Sequence, residues 1–264
     1  MSPSIFDLSG KVAMVSGASS GMGRAASLAL ADHGANLFLV DLDEEGLRQT
    51  KSDAERTGAR VFAQTSDISD PVKIAQIFTN LDHEFGKLDF LANVAGEGLL
   101  AKPEDLTQEQ LHRVFQNLVF GRFAMCQEAG KRMLAQYGGS IVNIGSLAST
   151  TALGRGHIAY SMAMGAVVQM TRELSTEWAG RGVRVNAILP AQVMNPSLEK
   201  RIAVDPAMEQ KWLSGIPRGR LGKPTDIQGL MVLLASDAST WITGALIPMD
   251  GGNLAMNAGG TIGS

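Results

Sequence analysis

Short apolar runs and amphipathic stretches alternate along most of the chain. Runs of about four to eight apolar residues bounded by turn formers are typical of buried strands. Seven such runs are predicted, at residues 12–16, 36–41, 60–65, 88–92, 139–146, 183–189 and 246–252. Between them, apolar residues recur every three or four positions, as in helices that pack one face on a core. This alternation predicts a mostly parallel sheet with helices on both faces.

The predicted helices differ in how much of their surface is apolar. Residues 44–57 are mostly polar and predict a surface helix, while a long helix is expected to begin at Thr107. The candidate buried positions of that long helix are Leu111, Val114, Phe115, Leu118, Phe123 and Met133. The helix that contains Tyr160 carries a second core stripe, formed by Val167, Val168, Met170, Leu174 and Trp178.

Three glycines within seven residues separate the first strand from the first helix. Gly17 permits a tight turn, and Gly21 and Gly23 let the backbone approach a pyrophosphate closely. The free N–H groups at the helix N-terminus would then face the phosphates. Ser19, Ser20 and Met22 complete this predicted cofactor loop. A glycine-rich turn without a ligand is the alternative.

The second strand ends in a carboxylate, Asp41, 18 residues after Gly23. An acid at this position is placed to accept hydrogen bonds from an adenosine ribose. No Arg or Lys follows Asp41 closely, and the loop carries Ser20 rather than a base. A 2′-phosphate would meet a carboxylate and no cation, so NAD is predicted in preference to NADP.

Composition excludes several classes of function. The net charge is −3, with 23 Lys and Arg against 26 Asp and Glu, which is not the charge of a nucleic-acid-binding protein. The one cysteine, Cys126, lies in a helical pattern and is expected to be a small buried apolar residue. We expect no metal site, no signal peptide and no membrane segment, and a cytoplasmic location.

The spacing Gly-x-x-x-Gly-x-Gly at residues 17–23 resembles that of the short-chain dehydrogenase/reductase family. Later motifs extend the resemblance from Lys11 to Asn253. It implies an α/β fold of the Rossmann type with a doubly wound sheet, and a homotetramer built on the two long helices. One domain over residues 1–264 is expected, with a substrate lid at about 193–217 and a loose tail at 253–264.

The resemblance implies further cofactor contacts. Residues 93–96, Asn-Val-Ala-Gly, are similar to the family's Asn-Asn-Ala-Gly, with Val94 in place of one Asn. The cofactor-binding positions implied in this way are Asp67, Ile68, Asn93, Ala95, Gly96, Tyr160, Pro190, Val193 and Asn195. Two of these have structural alternatives: Asp67 or Asp70 as a helix cap, and Asn93 as a hydrogen-bonded strand-end amide.

The resemblance also implies the catalytic residues. Ser146 ends the fifth strand and is the expected substrate anchor, with Ser149 as a nearby competitor. Tyr160 follows Ser146 by 14 residues, a gap one longer than is usual in the family, and would act as general acid or base. Asn117 would hold a water that links the site to solvent. A surface or packing role is the alternative for Asn117.

One departure from the family concerns the chemistry directly. The family motif is Tyr-x-x-x-Lys, but Met164 stands four residues after Tyr160, on the same helix face. A thioether has no charge and no donor, so it can neither hold a ribose nor stabilise a phenolate. Bringing a phenol from its usual pKa of about 10 to about 7 needs about 4 kcal/mol. Arg155 and His157 are the nearest candidates in sequence for a substitute charge.

Two functions therefore remain open from the sequence. The first is an NAD(H)-dependent oxidoreductase that interconverts a secondary alcohol and a ketone on a small polar substrate, similar to a sugar acid or a polyol. The second is a cofactor-binding homologue with little or no turnover that acts as a regulatory or structural subunit. Met164 as an engineered change is a third reading of the same residue.

Overall fold

The structure is a computed structural model and describes residues 4–256. Within these residues, seven strands form one sheet in the order β3-β2-β1-β4-β5-β6-β7, and all neighbours are parallel. The strands are β1 (Val12–Ser16), β2 (Asn36–Asp41), β3 (Val61–Thr65), β4 (Phe90–Asn93), β5 (Gly139–Ile144), β6 (Val183–Pro190) and β7 (Leu246–Met249). The strand order reverses between β1 and β4, and ligands bind at such a switch point in open α/β sheets.

Helices connect successive strands and cover both faces of the sheet. They are α1 (Gly21–Asp32), α2 (Glu44–Glu55), α3 (Pro71–Phe85), α4 (Gln108–Phe115), α5 (Arg122–Ala135), α6 (Ile158–Trp178), α7 (Pro196–Val204), α8 (Ala207–Leu213) and α9 (Gln228–Ala235). The predicted doubly wound α/β fold of the Rossmann type is thus confirmed.

The two faces of the sheet bury alternate residues of the central strands. Ala13 and Val15 of β1 belong to one core cluster, whose other members come partly from α1 and α9. Val12 and Met14 belong to the opposite cluster, which α3 and α5 complete. Because strand side chains alternate between faces, a strand covered on both sides is apolar throughout, as the sequence of β1 is.

Two helix starts are fixed by side-chain caps. The Asp70 carboxylate accepts hydrogen bonds from the N–H groups of Val72 and Lys73 at the start of α3. Thr107 and Gln110 form a reciprocal capping box at the start of α4. The predicted cap at Asp70 and the predicted helix start at Thr107 are therefore confirmed.

The long helix that begins after Thr107 contains a widened turn. Residues Gln116–Gly121 form a π-helical segment between α4 and α5, and Asn117 lies within it. The Gln116 side chain donates a hydrogen bond of 2.8 Å to the carbonyl oxygen of Ser69. Such single-turn π segments are frequent at functional sites.

The predicted burial of Phe123 is wrong, since this side chain is 43% exposed. The buried face of α5 recurs at steps of three and four residues through Cys126, Ala129 and Met133. Phe123 precedes Cys126 by three residues but lies with exposed Gln127 on the outer face. Leu118 and Phe123 are five residues apart, and Leu118 lies within the π segment that precedes α5. A prediction from the regular helical repeat does not include the extra residue of a π turn, so it assigns the wrong face to Phe123.

The region expected to form a lid contains two short helices, α7 and α8. The polypeptide after β7 folds back toward them, where the Asn253 amide donates a hydrogen bond to the Gly215 carbonyl. Residues 257–264 of the predicted loose tail lie outside the described residues. In the part of the chain that is described, no helix combines the length and apolar character needed to cross a bilayer.

Candidate active site

The loops after β1 and β4 meet at the switch point of the sheet. Gly17 has φ +73°, and a Cβ at this position would lie 2.8 Å from the backbone nitrogen of Ala95. The Ser16 hydroxyl accepts hydrogen bonds from the N–H groups of Val94 at 3.2 Å and Ala95 at 3.3 Å. The backbone of both loops is thereby held in close contact, and only glycine fits at residue 17.

The N-terminus of α1 is open toward the same place. Ser20 is the N-cap residue, but its side chain makes no capping hydrogen bond, and the first turn carries no acidic residue. Gly21 has φ +52°, and among the described residues no atom lies within 4 Å of the position a Cβ would take. Uncapped N–H groups at a helix N-terminus beside an open glycine suit a pyrophosphate, so these residues fit a dinucleotide.

Asp41 projects from the end of β2 next to this loop. One carboxylate oxygen, Oδ2, accepts a hydrogen bond of 3.0 Å from the Ser19 N–H. The other, Oδ1, accepts hydrogen bonds from Leu42 at 2.7 Å and Asp43 at 3.2 Å. The carboxylate is thus held in place by backbone donors and keeps acceptor capacity for ribose hydroxyls.

Two other predicted cofactor residues make contacts within the protein. The Asp67 oxygen Oδ1 accepts hydrogen bonds from both the N–H and the hydroxyl of Ser69. The Asn93 amide, fully buried, donates to Asn143 at 3.0 Å and to the Cys126 sulfur at 3.2 Å. The structure gives Asn93 the strand-end role that the sequence left open, and its cofactor contact stays a prediction. Burial raises the pKa of the Cys126 thiol to about 12.

A cavity of about 430 Å³ opens beside the carboxyl ends of β5 and β6. Ser146 and Tyr160 both line it, although 14 residues separate them in the chain. Ser149 does not line it, and its hydroxyl accepts the Ser146 N–H at 3.1 Å. Of the two serines, Ser146 is therefore the one that faces the cavity.

Local structure explains the positions of the two hydroxyl groups. Ser146 caps the short 3₁₀ turn that follows β5, and its hydroxyl oxygen accepts the Ala148 N–H at 3.1 Å. Because this bond uses an oxygen lone pair, the Ser146 hydroxyl hydrogen can still be donated to a ligand. Tyr160 lies in the first turn of α6 and packs against Gly98, where a Cβ would lie 2.6 Å from its Cδ2.

The structure brings three predicted cofactor residues to the same cavity, namely Pro190, Val193 and Asn195. The Asn195 side chain caps α7 by accepting the Leu198 N–H at 2.9 Å, and it donates to the Val193 carbonyl at 3.1 Å. Asn117 does not line the cavity: its side-chain oxygen accepts the Glu97 N–H at 3.3 Å behind the loop that follows β4. Its water-holding role stays a prediction.

Met164 is 1% exposed and belongs to an apolar cluster. The other buried members of this cluster are Val114, Leu118, Ala148, Ala159, Ala163 and Val167. The position that follows Tyr160 by one helical turn therefore provides packing and no charge. The two residues singled out in the sequence as candidates for a substitute charge, Arg155 and His157, do line the cavity.

Three residues near the site were not among the predicted site residues, although Trp212 lies in the predicted lid. Arg201 and Trp212 of the two lid helices line the cavity. Arg122, 2% exposed, donates to the backbone carbonyls of Ala95 and Ile144. Burial lowers the pKa of Arg122 to about 10, so the group is charged at neutral pH. Its signal in the sequence is a charged residue four positions before buried Cys126, on the core face of the helix.

The described residues contain no group of three His, Cys, Asp or Glu side chains able to hold a metal ion. The glycine turn at residues 17–23 and the open N-terminus of α1 together form a surface that fits a dinucleotide, called here the dinucleotide cradle. The cavity beside β5 and β6 holds a phenol, Tyr160, and a hydroxyl, Ser146. Comparison with known proteins shows the family to which the chain belongs. A family model described as enoyl-(acyl carrier protein) reductase matches residues 17–253.

A D-threitol dehydrogenase from Mycolicibacterium smegmatis is 40% identical over 249 residues, which cover 94% of each chain. This chain belongs to the short-chain dehydrogenase/reductase family. An NAD-dependent glycerol dehydrogenase from Listeria innocua is 36% identical over 94% of this chain and 95% of its own. A solved structure with bound NADP, of an Agrobacterium tumefaciens protein described as a candidate 2-deoxy-D-gluconate 3-dehydrogenase, superimposes with a TM-score of 0.88. It is 31% identical and covers 97% of this chain and 100% of that chain.

Proposed function

We propose that this protein is an NAD(H)-dependent oxidoreductase that interconverts a secondary alcohol and a ketone on a small polar substrate. The observation that carries the proposal is the convergence of Ser146 and Tyr160 in one cavity beside the dinucleotide cradle. Membership of the short-chain dehydrogenase/reductase family supports an oxidoreductase, and relatives named as threitol and glycerol dehydrogenases support alcohol and ketone chemistry.

The nicotinamide group, when bound, would supply or accept the hydride. The protein must then orient the substrate and move one proton to or from its oxygen. In ketone reduction, Tyr160 donates the proton as the carbonyl oxygen becomes a hydroxyl, and in oxidation the phenol oxygen takes it back. Ser146 donates a hydrogen bond to the same oxygen, because its bond with the Ala148 N–H uses a lone pair and leaves the hydroxyl hydrogen free.

We assign NAD as the preferred cofactor because of the groups at the end of β2. The Asp41 carboxylate fits ribose hydroxyls and opposes a phosphate, and Leu42, which follows it, is apolar and 67% exposed. The relatives support either cofactor, since one is named as NAD-dependent and another was solved with NADP. The preference therefore rests on these two residues.

We also propose a homotetramer in the cytoplasm. Large apolar side chains are exposed on the two long helical elements, at Phe120 (53%), Phe123 (43%) and Met162 (46%). Burying these side chains between copies of the chain would account for their exposure in one subunit. Light scattering should then give a mass of four chains, and Phe123→Glu should lower it.

The test of the proposed function is a change in NADH absorbance with a panel of ketoses and polyols. We expect turnover by the unchanged protein and a loss of roughly 100-fold or more in Ser146→Ala. Ser52→Ala, on the exposed face of α2, is the matched control and should leave turnover unchanged. NADH binding without turnover on any member of the panel would instead favour the non-catalytic homologue.

A further inference from the structure

The cavity carries two arginines and no opposing acid. Arg155 and Arg201 line it together with Ser146 and Tyr160, and no Asp or Glu of residues 4–256 does so. Neither arginine forms an ion pair within the described residues, whose pairs are all made elsewhere. The positive charge in the cavity is thus left without a counter-charge.

Both guanidinium groups lie within about 6 Å of the centre of the same aromatic ring. The Cζ atom of Arg155 lies 5.8 Å from the centre of the Trp212 ring, and that of Arg201 lies 5.9 Å from it. Burial lowers the pKa of Arg155, and the neighbouring charge of Arg201 lowers it further. Both guanidinium groups lie at one aromatic ring and line one cavity, so a single bound group can approach both.

The backbone at Arg155 is held in an uncommon conformation. Its φ is +61°, in the left-handed region, between Gly154 and Gly156, which also have positive φ. The Ala101 N–H donates a hydrogen bond of 2.9 Å to the Gly156 carbonyl and fixes this turn. A non-glycine residue rarely adopts this region, and residues in sparsely populated backbone regions cluster at functional sites.

We infer that Arg155 and Arg201 bind an anionic group at one end of a polyhydroxy substrate, whose other end reacts at Tyr160. Guanidinium groups match the two oxygens of a carboxylate or of a phosphate ester, and an anion relieves the repulsion between the arginines. Burial lowers the pKa of His157, so at neutral pH its imidazole is uncharged and can donate to or accept from hydroxyl groups of the substrate. This inference rests on the proposed function and narrows its substrate class to anions.

Three probes of equal carbon chain test the inference: D-gluconate, D-glucitol and D-glucitol 6-phosphate. Binding to the NADH complex is measured by calorimetry, so that no turnover is needed. We expect gluconate or the phosphate to bind at least roughly 10-fold more tightly than glucitol. Arg155→Gln and Arg201→Gln should each remove most of that advantage and leave glucitol and NADH binding unchanged. Arg181→Gln, exposed and outside the cavity, is the matched control.

Preference for the phosphate over gluconate would assign the anion as a phosphate ester, and the reverse preference would assign it as a carboxylate. Equal affinity for all three probes, or a loss of glucitol binding equal to that of the anions, would overturn the inference. Anion binding without turnover would contradict the proposed function alone, so the two failures are distinguishable.

A second observation concerns the charge that Met164 does not provide. Arg122 is charged and buried, and its partners are the carbonyl oxygens of Ala95 and Ile144 rather than an acid. A buried cation without a counter-ion is costly, and its retention calls for a function. The negative charge of an ionised Tyr160 raises the pKa of Arg122.

Two glycines in the loop after β4, Gly96 and Gly98, lie close to Arg122 and to Tyr160, respectively. A Cβ on Gly96 would lie 3.1 Å from the Arg122 Nη2 atom, and a Cβ on Gly98 would lie 2.6 Å from the Tyr160 ring. The loop at residues 96–98 is therefore packed against Arg122 at one glycine and against Tyr160 at the other. We propose that Arg122 is a positioning residue that supplies, through Tyr160, the fixed positive charge for which the family uses a lysine.

Titration of the phenol by absorbance tests this second proposal without turnover. The chain has two tyrosines, so a Tyr137→Phe background leaves Tyr160 as the only phenol. The titratable groups whose charges raise the pKa of Arg122 are Tyr160 from α6 and Cys126 on its own helix. We expect the Tyr160 phenolate to form at a higher pH in Arg122→Met than in the background protein, and Arg122→Lys to restore the lower pH.

Activity gives the complementary readout. Alcohol oxidation, which needs the phenolate, should fall at least roughly 10-fold at neutral pH in Arg122→Met and recover as the pH rises. Ketone reduction should fall less. Identical phenol titration in the background and Arg122→Met proteins would overturn the proposal, and parallel loss in both directions at every pH would indicate a structural role only.

Discussion

Replacing Gly17 by alanine should damage both folding and cofactor binding. The left-handed φ of +73° would cost a Cβ-bearing residue about 1–2 kcal/mol. The added Cβ would also lie 2.8 Å from the Ala95 nitrogen, which forces the two loops apart at a further cost of about 1–3 kcal/mol. The expected loss in the free energy of unfolding is therefore about 2–5 kcal/mol.

Gly10→Ala is the matched control for this prediction. Gly10 has nearly the same φ, +76°, but no described atom lies within 4 Å of the position of its Cβ. It should lose only about 1–2 kcal/mol. Urea unfolding measures both costs, and NADH fluorescence measures cofactor affinity, which should fall at least roughly 10-fold in Gly17→Ala alone. Equal destabilisation by the two changes, with equal NADH affinity, would refute the role given to the contact between the loops.

Three further outcomes follow from the site and its surroundings. Asp41→Ala should weaken NADH binding roughly 10-fold or more, because the ribose hydroxyls of NADH lose their hydrogen bonds to a charged acceptor. NADPH binding should weaken less, since its 2′-phosphate does not make those hydrogen bonds, and equal losses for the two cofactors would refute the assignment. Met164→Lys should lower the free energy of unfolding by about 3 kcal/mol or more in urea titration, since it buries an ammonium group among apolar side chains, whereas Met164→Leu should cost less than about 1.5 kcal/mol. The Cys126 thiol should resist disulfide reagents in the native protein at pH 8, because its pKa is raised to about 12 by burial. Since this folded pKa exceeds the value of 9.0 for a free thiol, the contribution of Cys126 to stability should be full below pH 9 and fall between about pH 9 and 12. Urea unfolding at several pH values should therefore show that Cys126→Ala loses less stability over that range than the unchanged protein.

Local patterns predict the glycine turn and the acid at the end of β2, and the resemblance to the family adds Ser146 and Tyr160, which line one cavity in the structure. The glycines at 17–23, the acid at the end of β2, and the hydroxyl after β5 each follow directly from one strand and its next turn. Ser146 and Tyr160 both follow β5, one in the turn after the strand and the other in the first turn of α6, so both line the cavity at this edge of the sheet.

Residues that depend on packing between elements could not be predicted in the same way. The π segment Gln116–Gly121 changes which face of α5 is buried, so Phe123 was wrongly placed in the core and Arg122 was missed. Arg201 and Trp212 reach the cavity only through the fold of α7 and α8, and periodicity within each helix carries no information on where that helix packs.

Transfer of deuterium from deuterated NADH to the product, followed by mass spectrometry, tests the central claim most directly. The claim is that Tyr160 moves the proton in a reaction that this protein catalyses. We expect label in the product with the unchanged protein and with the control variant Tyr137→Phe. The Tyr137 side chain is 80% exposed and has no part in the proposed reaction. Tyr160→Phe should still bind NADH and should transfer label roughly 100-fold or more slowly. Undiminished transfer by Tyr160→Phe would contradict the role of Tyr160, and bound NADH with no transfer by any of the proteins would contradict catalysis itself.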